Sequence, residues 1–308
     1  MVPGASAGPG RGARRMKTFR WPDGVRCAVL VSIHFDAESF DLKHTTEDRL
    51  YGRFSYGRYG VRAGLPRLLA MLQRRSIAAT VFVNGDDAVR HRSAVREIHD
   101  AGHEIGGRGW DHTPLSSLGD TEEDALRRGR DVLSEICGVV PKGFRASGGE
   151  LSSNTLHLLT QLGFQYDASF QDDDLPYLIA PRPGAVLAEI PGVWALDDSL
   201  ALSARHTHAR LMKIWREEFD ALEREGCLVP LTIHLRGDVG LTRAARIAAL
   251  EELLTHMGSR PGVRFMTGSQ IAALTLASGL TPESDPIDAH RETLRVTPYR
   301  GELAVKPL

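Results

Sequence analysis

Apolar and polar positions alternate in two rhythms along this chain, short β-branched runs and longer stretches with helical spacing. Residues 28–39 set the pattern. Val29, Leu30, Val31 and Ile33 form an apolar run that reads as a strand buried on both faces. The run then carries His34, Asp36 and Glu38 at spacings of two, which in a strand turns all three to one side. Similar runs predict strands at 79–83, 103–106, 142–146, 164–167, 228–234 and 263–266, with a strand-like segment over 187–190. Helical spacing predicts helices at 61–75, with Pro66 tolerated in the first turn, and at 91–101, closed by Gly102. Further helices are expected at 121–137 with Asp120 or Thr121 as cap, at 152–162 opening on Ser152, and at 208–225, 243–257 and 269–277. Residues 43–60, rich in Tyr and Gly, read as a long connection forming a lid or pocket rim.

Strands alternating with helices imply a mainly parallel sheet, doubly wound or closed as a barrel. Polar residues fall at successive strand ends: His34 and Asp36, Asn84, Arg108 and His112, Arg145, and His234. Convergence on the C-terminal rim of one barrel accounts for that distribution. The expected division is a disordered tail over 1–18, with Met16 as an alternative start, a barrel domain over 19–278, and an extension over 279–308.

Composition narrows the field. A formal net charge of −1 over 308 residues argues against a nucleic-acid binder. Cys27, Cys137 and Cys227 lack CxxC spacing, so neither a disulfide framework nor a thiolate zinc site is expected, and a cytoplasmic setting fits. No apolar run is long enough to span a membrane, and the first residues lack the apolar core of a signal peptide.

Taken together, Phe35-Asp-Ala-Glu38, the segment Gly102 to His112, Gly143-Phe-Arg-Ala146 and Leu231-Thr-Ile-His234 resemble the polysaccharide deacetylase family of metal-dependent carbohydrate esterases. More narrowly they are similar to its intracellular branch, which includes peptidoglycan deacetylase homologues, allantoinase-like proteins and cyclic imidases. The resemblance spans roughly residues 24–275 and implies a distorted (β/α) barrel of about seven strands. It also implies zinc-assisted amide hydrolysis, with one Asp as base, a second Asp and two His on the metal, an Arg orienting the base and a late His as acid. Here His34 stands at the base position and Asp36 at the ligand position. Arg108 replaces one ligand His and His112 keeps the other; Arg145 matches the orienting Arg and His234 the late acid.

These changes are coupled by charge. The family site with zinc and the present one without it both total a single positive charge, counting Asp36, Arg108 and Arg145 with neutral histidines. Arg108 would repel a dication but pair with Asp36, so no metal cofactor is expected; if zinc is bound, Asp36 and His112 are its ligands. His34 is expected to have a lowered pKa, from two nearby cations against one carboxylate. Glu38, Trp110 and Asp173 are weaker candidates for substrate contact. The expected function is metal-independent hydrolysis of an activated C–N bond (amide, cyclic imide or ureide) in a small molecule, by a homo-oligomer with no nucleic-acid or membrane partner. An isomerase or lyase using histidine acid–base chemistry, a conventional zinc N-deacetylase and a non-catalytic binding protein are the alternatives.

Overall fold

In the computed structural model residues 18–284 are described, residues 47–51 by their backbone alone. The expectations for the first 17 residues and for those beyond Ser284 lie outside the described residues. The strands are β1 (Cys27–Phe35), β2 (Thr80–Val83), β3 (Glu104–Gly107), β4 (Gly143–Phe144), β5 (Tyr166–Asp167), β6 (Tyr177–Ala180), β7 (Leu187–Glu189), β8 (Leu228–His234), β9 (Val263–Phe265) and β10 (Glu283–Ser284). The helices are α1 (Glu38–His44), α2 (Glu47–Tyr59), α3 (Leu65–Arg74), α4 (Gly85–Arg90), α5 (Arg92–Asp100), α6 (Glu122–Cys137), α7 (Thr155–Gln161), α8 (Asp198–Ser203), α9 (His208–Glu225), α10 (Ala244–Gly258) and α11 (Gly268–Leu276). The strands lie in the order β10-β6-β7-β5-β4-β3-β2-β1-β8, parallel throughout except for the β6–β7 pair.

Strand β1 organises the sheet because both its faces are buried. Val29, Val31, Ile33 and Phe35 point into the cluster beneath the surrounding helices, which also holds Leu68, Leu72, Trp215, Phe219 and Leu250. Ala28 and Leu30 point to the inner cluster with Phe82, Tyr166, Ala188 and Ile271. By the two-residue period Ser32 and His34 continue that inner face, so the barrel interior turns from apolar to polar toward the C-terminal end. The β1–β8 register sets His34 directly beside His234. Strand β8 takes one edge of β1 over Ala28–His34, so β2 and β9 share the other edge, β9 pairing only with Cys27–Val29. The last predicted strand therefore lies beside β1 and off the main strand path.

Several expectations need correction. Residues 43–60 are helices α1 and α2, running through a π-helical turn at Gly60–Gly64 into α3. The glycines that suggest a loop serve close packing: a Cβ on Gly60 would lie 1.9 Å from the Leu235 carbonyl oxygen, and one on Gly57 2.3 Å from that of Ala37. Helix α7 opens at Thr155, because Ser152 is held in the preceding turn by bonds to Thr155 and Glu122. Thr121 stands at the N-cap of α6 as expected, but its hydroxyl donates to the Leu118 carbonyl at 2.8 Å instead of capping the helix, which is entered through a tight turn over Gly119–Thr121. The short helix α4 and strand β6 were not anticipated. No helix among the described residues is long and apolar enough to cross a membrane.

Candidate active site

Six side chains named from strand ends come together at the C-terminal rim. His34, Asp36, Arg108, His112 and Arg145 are between 2 and 8% exposed. The His34 Nδ1 lies 3.0 Å from the His234 Nε2, and the His234 Nδ1 lies 2.8 Å from the Asp198 Oδ1. Asp36 sits at the centre. Its Oδ1 is 3.3 Å from the Arg108 Nη2 and 3.8 Å from the His112 Nε2, and its Oδ2 is 3.7 Å from the His234 Nε2.

Placement follows from local structure. Asp36 comes one residue past β1, in a turn that Asp87 fixes by accepting from the Ala37 and Ser39 N–H groups and the Ser39 hydroxyl. Asp198 is held by the N–H groups of His234 and Leu241, so one buried carboxylate orients both the His234 ring and the loop after β8. The Asn84 amide is best oriented with its oxygen accepting from the His112 Nε2 at 2.9 Å and its nitrogen donating to the Arg108 carbonyl at 2.8 Å. Helix α1 covers this corner, with the Phe40 ring 5.2 Å and the His44 ring 6.1 Å from that of His112. Arg236 ties α1 to the β8 loop through forked bonds to Asp41 and Asp238.

The histidines are set apart electrically. Burial pushes His34 well below its usual range, and Arg108, His234 and Arg145 add to the effect. The direction is the expected one, but desolvation leads rather than the cations. Burial also lowers His112, to about 4. His234 moves the other way: burial lowers it, but Asp198, Asp197 and Asp36 outweigh that and raise it. Burial raises Asp198 to about 6 despite its bond to His234. For Asp36, burial is outweighed by Arg108, His112 and His234, which hold it at about 2.

Some polar atoms here have no partner. Among the described residues the His34 Nε2, the Asp36 Oδ1 and the Arg108 Nε and Nη1 are buried without a hydrogen-bond partner. Among the described residues Arg145 makes no side-chain hydrogen bond or ion pair, although Asp197, Asp167 and Glu189 act on it from farther away. Beside it lies an open cleft of about 820 Å³, lined by Gly149, Phe170, Asp172, Asp173, Gly192 and Trp194 among others.

The weaker candidates divide. Asp173 lines that cleft. Glu38 does not join the site: β1 has ended, alternation no longer applies, and its carboxylate pairs with the His91 Nε2 at 2.5 Å. Trp110 is packed against Gly85 with Arg128 stacked 3.8 Å from its ring centroid, a structural position between α4 and α6. Sequence reasoning missed Asp198 as a site residue and named Asn84 among the polar strand ends without giving it a role. Both adjoin readable signals, the Leu196-Asp-Asp198 triplet and the end of β2.

Acid–base and cationic groups are gathered at the C-terminal ends of the parallel strands, the place where such folds carry their chemistry. The family profile described as polysaccharide deacetylase matches residues 43–166. A candidate polysaccharide deacetylase of Mycobacterium smegmatis superposes with a TM-score of 0.79 at 36% identity, covering 87% of this chain and 98% of that one. PuuE allantoinase shares the fold, with a TM-score of 0.76 at 24% identity over 84% of this chain and 93% of its own. A peptidoglycan deacetylase of Helicobacter pylori is 28% identical over 254 residues, 71% of this chain and 85% of its own. The chain belongs to the polysaccharide deacetylase family, hydrolases acting on carbon–nitrogen bonds other than peptide bonds.

Proposed function

We propose that the chain hydrolyses an activated C–N bond of a small molecule, an amide, cyclic imide or ureide, without a resident metal. The unpartnered His34 Nε2, at the end of the chain Asp198–His234–His34, is the observation that carries this reading. With the His234 Nδ1–H donated to Asp198, the His234 Nε2 accepts the His34 Nδ1–H, and the His34 Nε2 is left with a free lone pair. A water donating to that lone pair is activated for attack as its proton moves onto His34. His34 cannot keep the charge, since burial and the two arginines oppose it. Its Nδ1 proton passes to His234, where Asp198 stabilises the imidazolium. The order of roles is that of a carboxylate-oriented histidine base, with a second histidine inserted. Arg108 offers its free N–H groups to the developing oxyanion. The proton on His234 returns through His34 to the leaving nitrogen.

The family's zinc does not fit these residues. His34, Asp36 and His234 have donor atoms within 4.8 Å of one another. Using them would break the histidine pair and set a dication beside the Arg108 guanidinium, which already holds Asp36. The His112 Nε2 is engaged with Asn84. A zinc-bound water reaches a pKa near 7, which no guanidinium achieves, so the substrate bond must itself be activated.

The test is turnover by untagged protein stripped with dipicolinate, assayed on succinimide, hydantoin and an N-acetylglucosamine oligomer. Ring opening of an imide or ureide at an unchanged rate after chelation is expected. Activity confined to the sugar oligomer, lost on chelation and restored by zinc, would overturn the proposal.

A further inference from the structure

Arg145 is a buried guanidinium with no bonded counter-ion among the described residues. The carboxylates that act on it are engaged elsewhere: Asp197 accepts from the Ser199 and Leu200 N–H groups. Asp167 is bonded to Ser169, and Glu189 to the Phe170 N–H. A charge in a buried place without a bonded counter-ion costs free energy that an arriving anion can recover. The guanidinium stays charged at neutral pH, lowered by burial only to about 10.

Its surroundings give a ligand access. A Cβ on Gly192 would lie 3.2 Å from the Arg145 Nη2, and Gly192 lines the 820 Å³ cleft. With no side chain at 192 that face of the guanidinium is uncovered; Asp172, Asp173 and Asp174 on the cleft wall repel a carboxylate, so Arg145 rather than the wall is where one comes to rest. Arg145 and Arg108 both act on His34, so they flank the group assigned as base. Arg108 has two buried N–H groups unspent after pairing with Asp36.

We infer that the substrate carries a carboxylate of its own beyond the scissile bond, received by Arg145 from the cleft side while Arg108 faces the reacting carbonyl. Hydrolysis then yields a dicarboxylate, with one carboxylate on each arginine. The planar fork of a guanidinium matches a carboxylate in two parallel bonds. This inference rests on the hydrolytic reading above but concerns binding, which needs no turnover.

The test is calorimetric titration of the full chain with the monoamides of malonate, succinate and glutarate, each beside its diamide, a ligand of the same shape without the carboxylate. The best monoamide should bind at least about tenfold tighter than its diamide, the worth of one charge-assisted bond. Arg145→Met should bring the monoamide down to the level of the diamide and leave the diamide unchanged. Because the removed charge is unpaired in the free protein, that variant should melt no lower than wild type. Arg145→Lys, which keeps the charge and loses the fork, should fall between the two. Equal binding of monoamide and diamide, or equal loss of both in either variant, overturns the inference. Such a failure with chelator-resistant turnover intact leaves the hydrolytic reading standing; turnover that requires zinc removes that reading whichever ligand binds.

Discussion

The two ends of the barrel hold buried polar clusters of opposite character. At the N-terminal end the Glu104 carboxylate accepts from the Thr80 hydroxyl at 2.8 Å, the Tyr166 hydroxyl at 2.9 Å, the Ser269 N–H at 2.9 Å and the Ser269 hydroxyl. The Thr80 hydroxyl in turn accepts from the Gly268 N–H. Tyr166 fits only because Gly143 and Gly268 face it, where a Cβ would come within 2.1 and 2.2 Å of its hydroxyl. Glu104 and Tyr166 leave no side-chain polar atom buried without a partner. At the other end the His34 Nε2, the Asp36 Oδ1 and two nitrogens of Arg108 are orphaned among the described residues, and the Arg145 guanidinium has no bonded partner there. Buried orphans are rare because each costs about 1–3 kcal/mol. One cluster is a finished plug that stabilises the sheet; the other, on the proposed reading, is a receptor whose partners arrive with the substrate.

Substitutions should separate the two ends cleanly. The largest effect is expected for His34→Ala, which should lower kcat on any turned-over imide or ureide by about a thousandfold while scarcely changing substrate affinity. Steady-state kinetics together with ligand titration reads both quantities. Near wild-type turnover would move the base to His112 or His234. Glu104→Ala should do the reverse, costing roughly 3 kcal/mol of stability in urea unfolding by orphaning Tyr166 and Thr80, with kcat unchanged where the variant is folded. A matching loss of kcat would mean that the two ends are coupled.

The smallest effect is one of pH. The relay needs a neutral His234 to take the proton, and the pKa of His234 is raised above 6.5. The kcat/KM should therefore fall as pH drops through a midpoint above 6.5, although His34 itself stays neutral far below that. Nitrogen-15 spectra of the imidazoles should show His234 titrating there and His34 silent. The reverse assignment would break the proposed proton path. His112 adds a stability term of known sign: lowered to about 4, it favours folding above 6.5 and that contribution is lost as pH falls toward 4.

What could be read in the sequence follows the same division. The apolar run of β1 and the polar residues at strand ends are local signals, and the sheet register brings His34, Asp36, Arg108, His112 and His234 within reach of one another. Asp198 was legible only as part of a triplet, because its role comes from folding a segment 36 residues away onto His234. Glu38 misled because alternation was carried past the last strand residue, Phe35. Residues 43–60 misled because glycines that normally mark loops are kept in helices by tertiary contacts with Ala37 and Leu235. The satisfied cluster around Glu104 gave no sign at all, since its members come from four separate segments.

The central claim, that Arg108 stands in place of the metal, is tested most directly by titrating zinc into untagged wild-type protein and into Arg108→His, followed by calorimetry and imidazole nitrogen-15 shifts. The account predicts no site tighter than about 10 µM in wild type and a single much tighter site in the variant, perturbing His112. One tightly held zinc per wild-type chain, shifting His34 or His234, would contradict it.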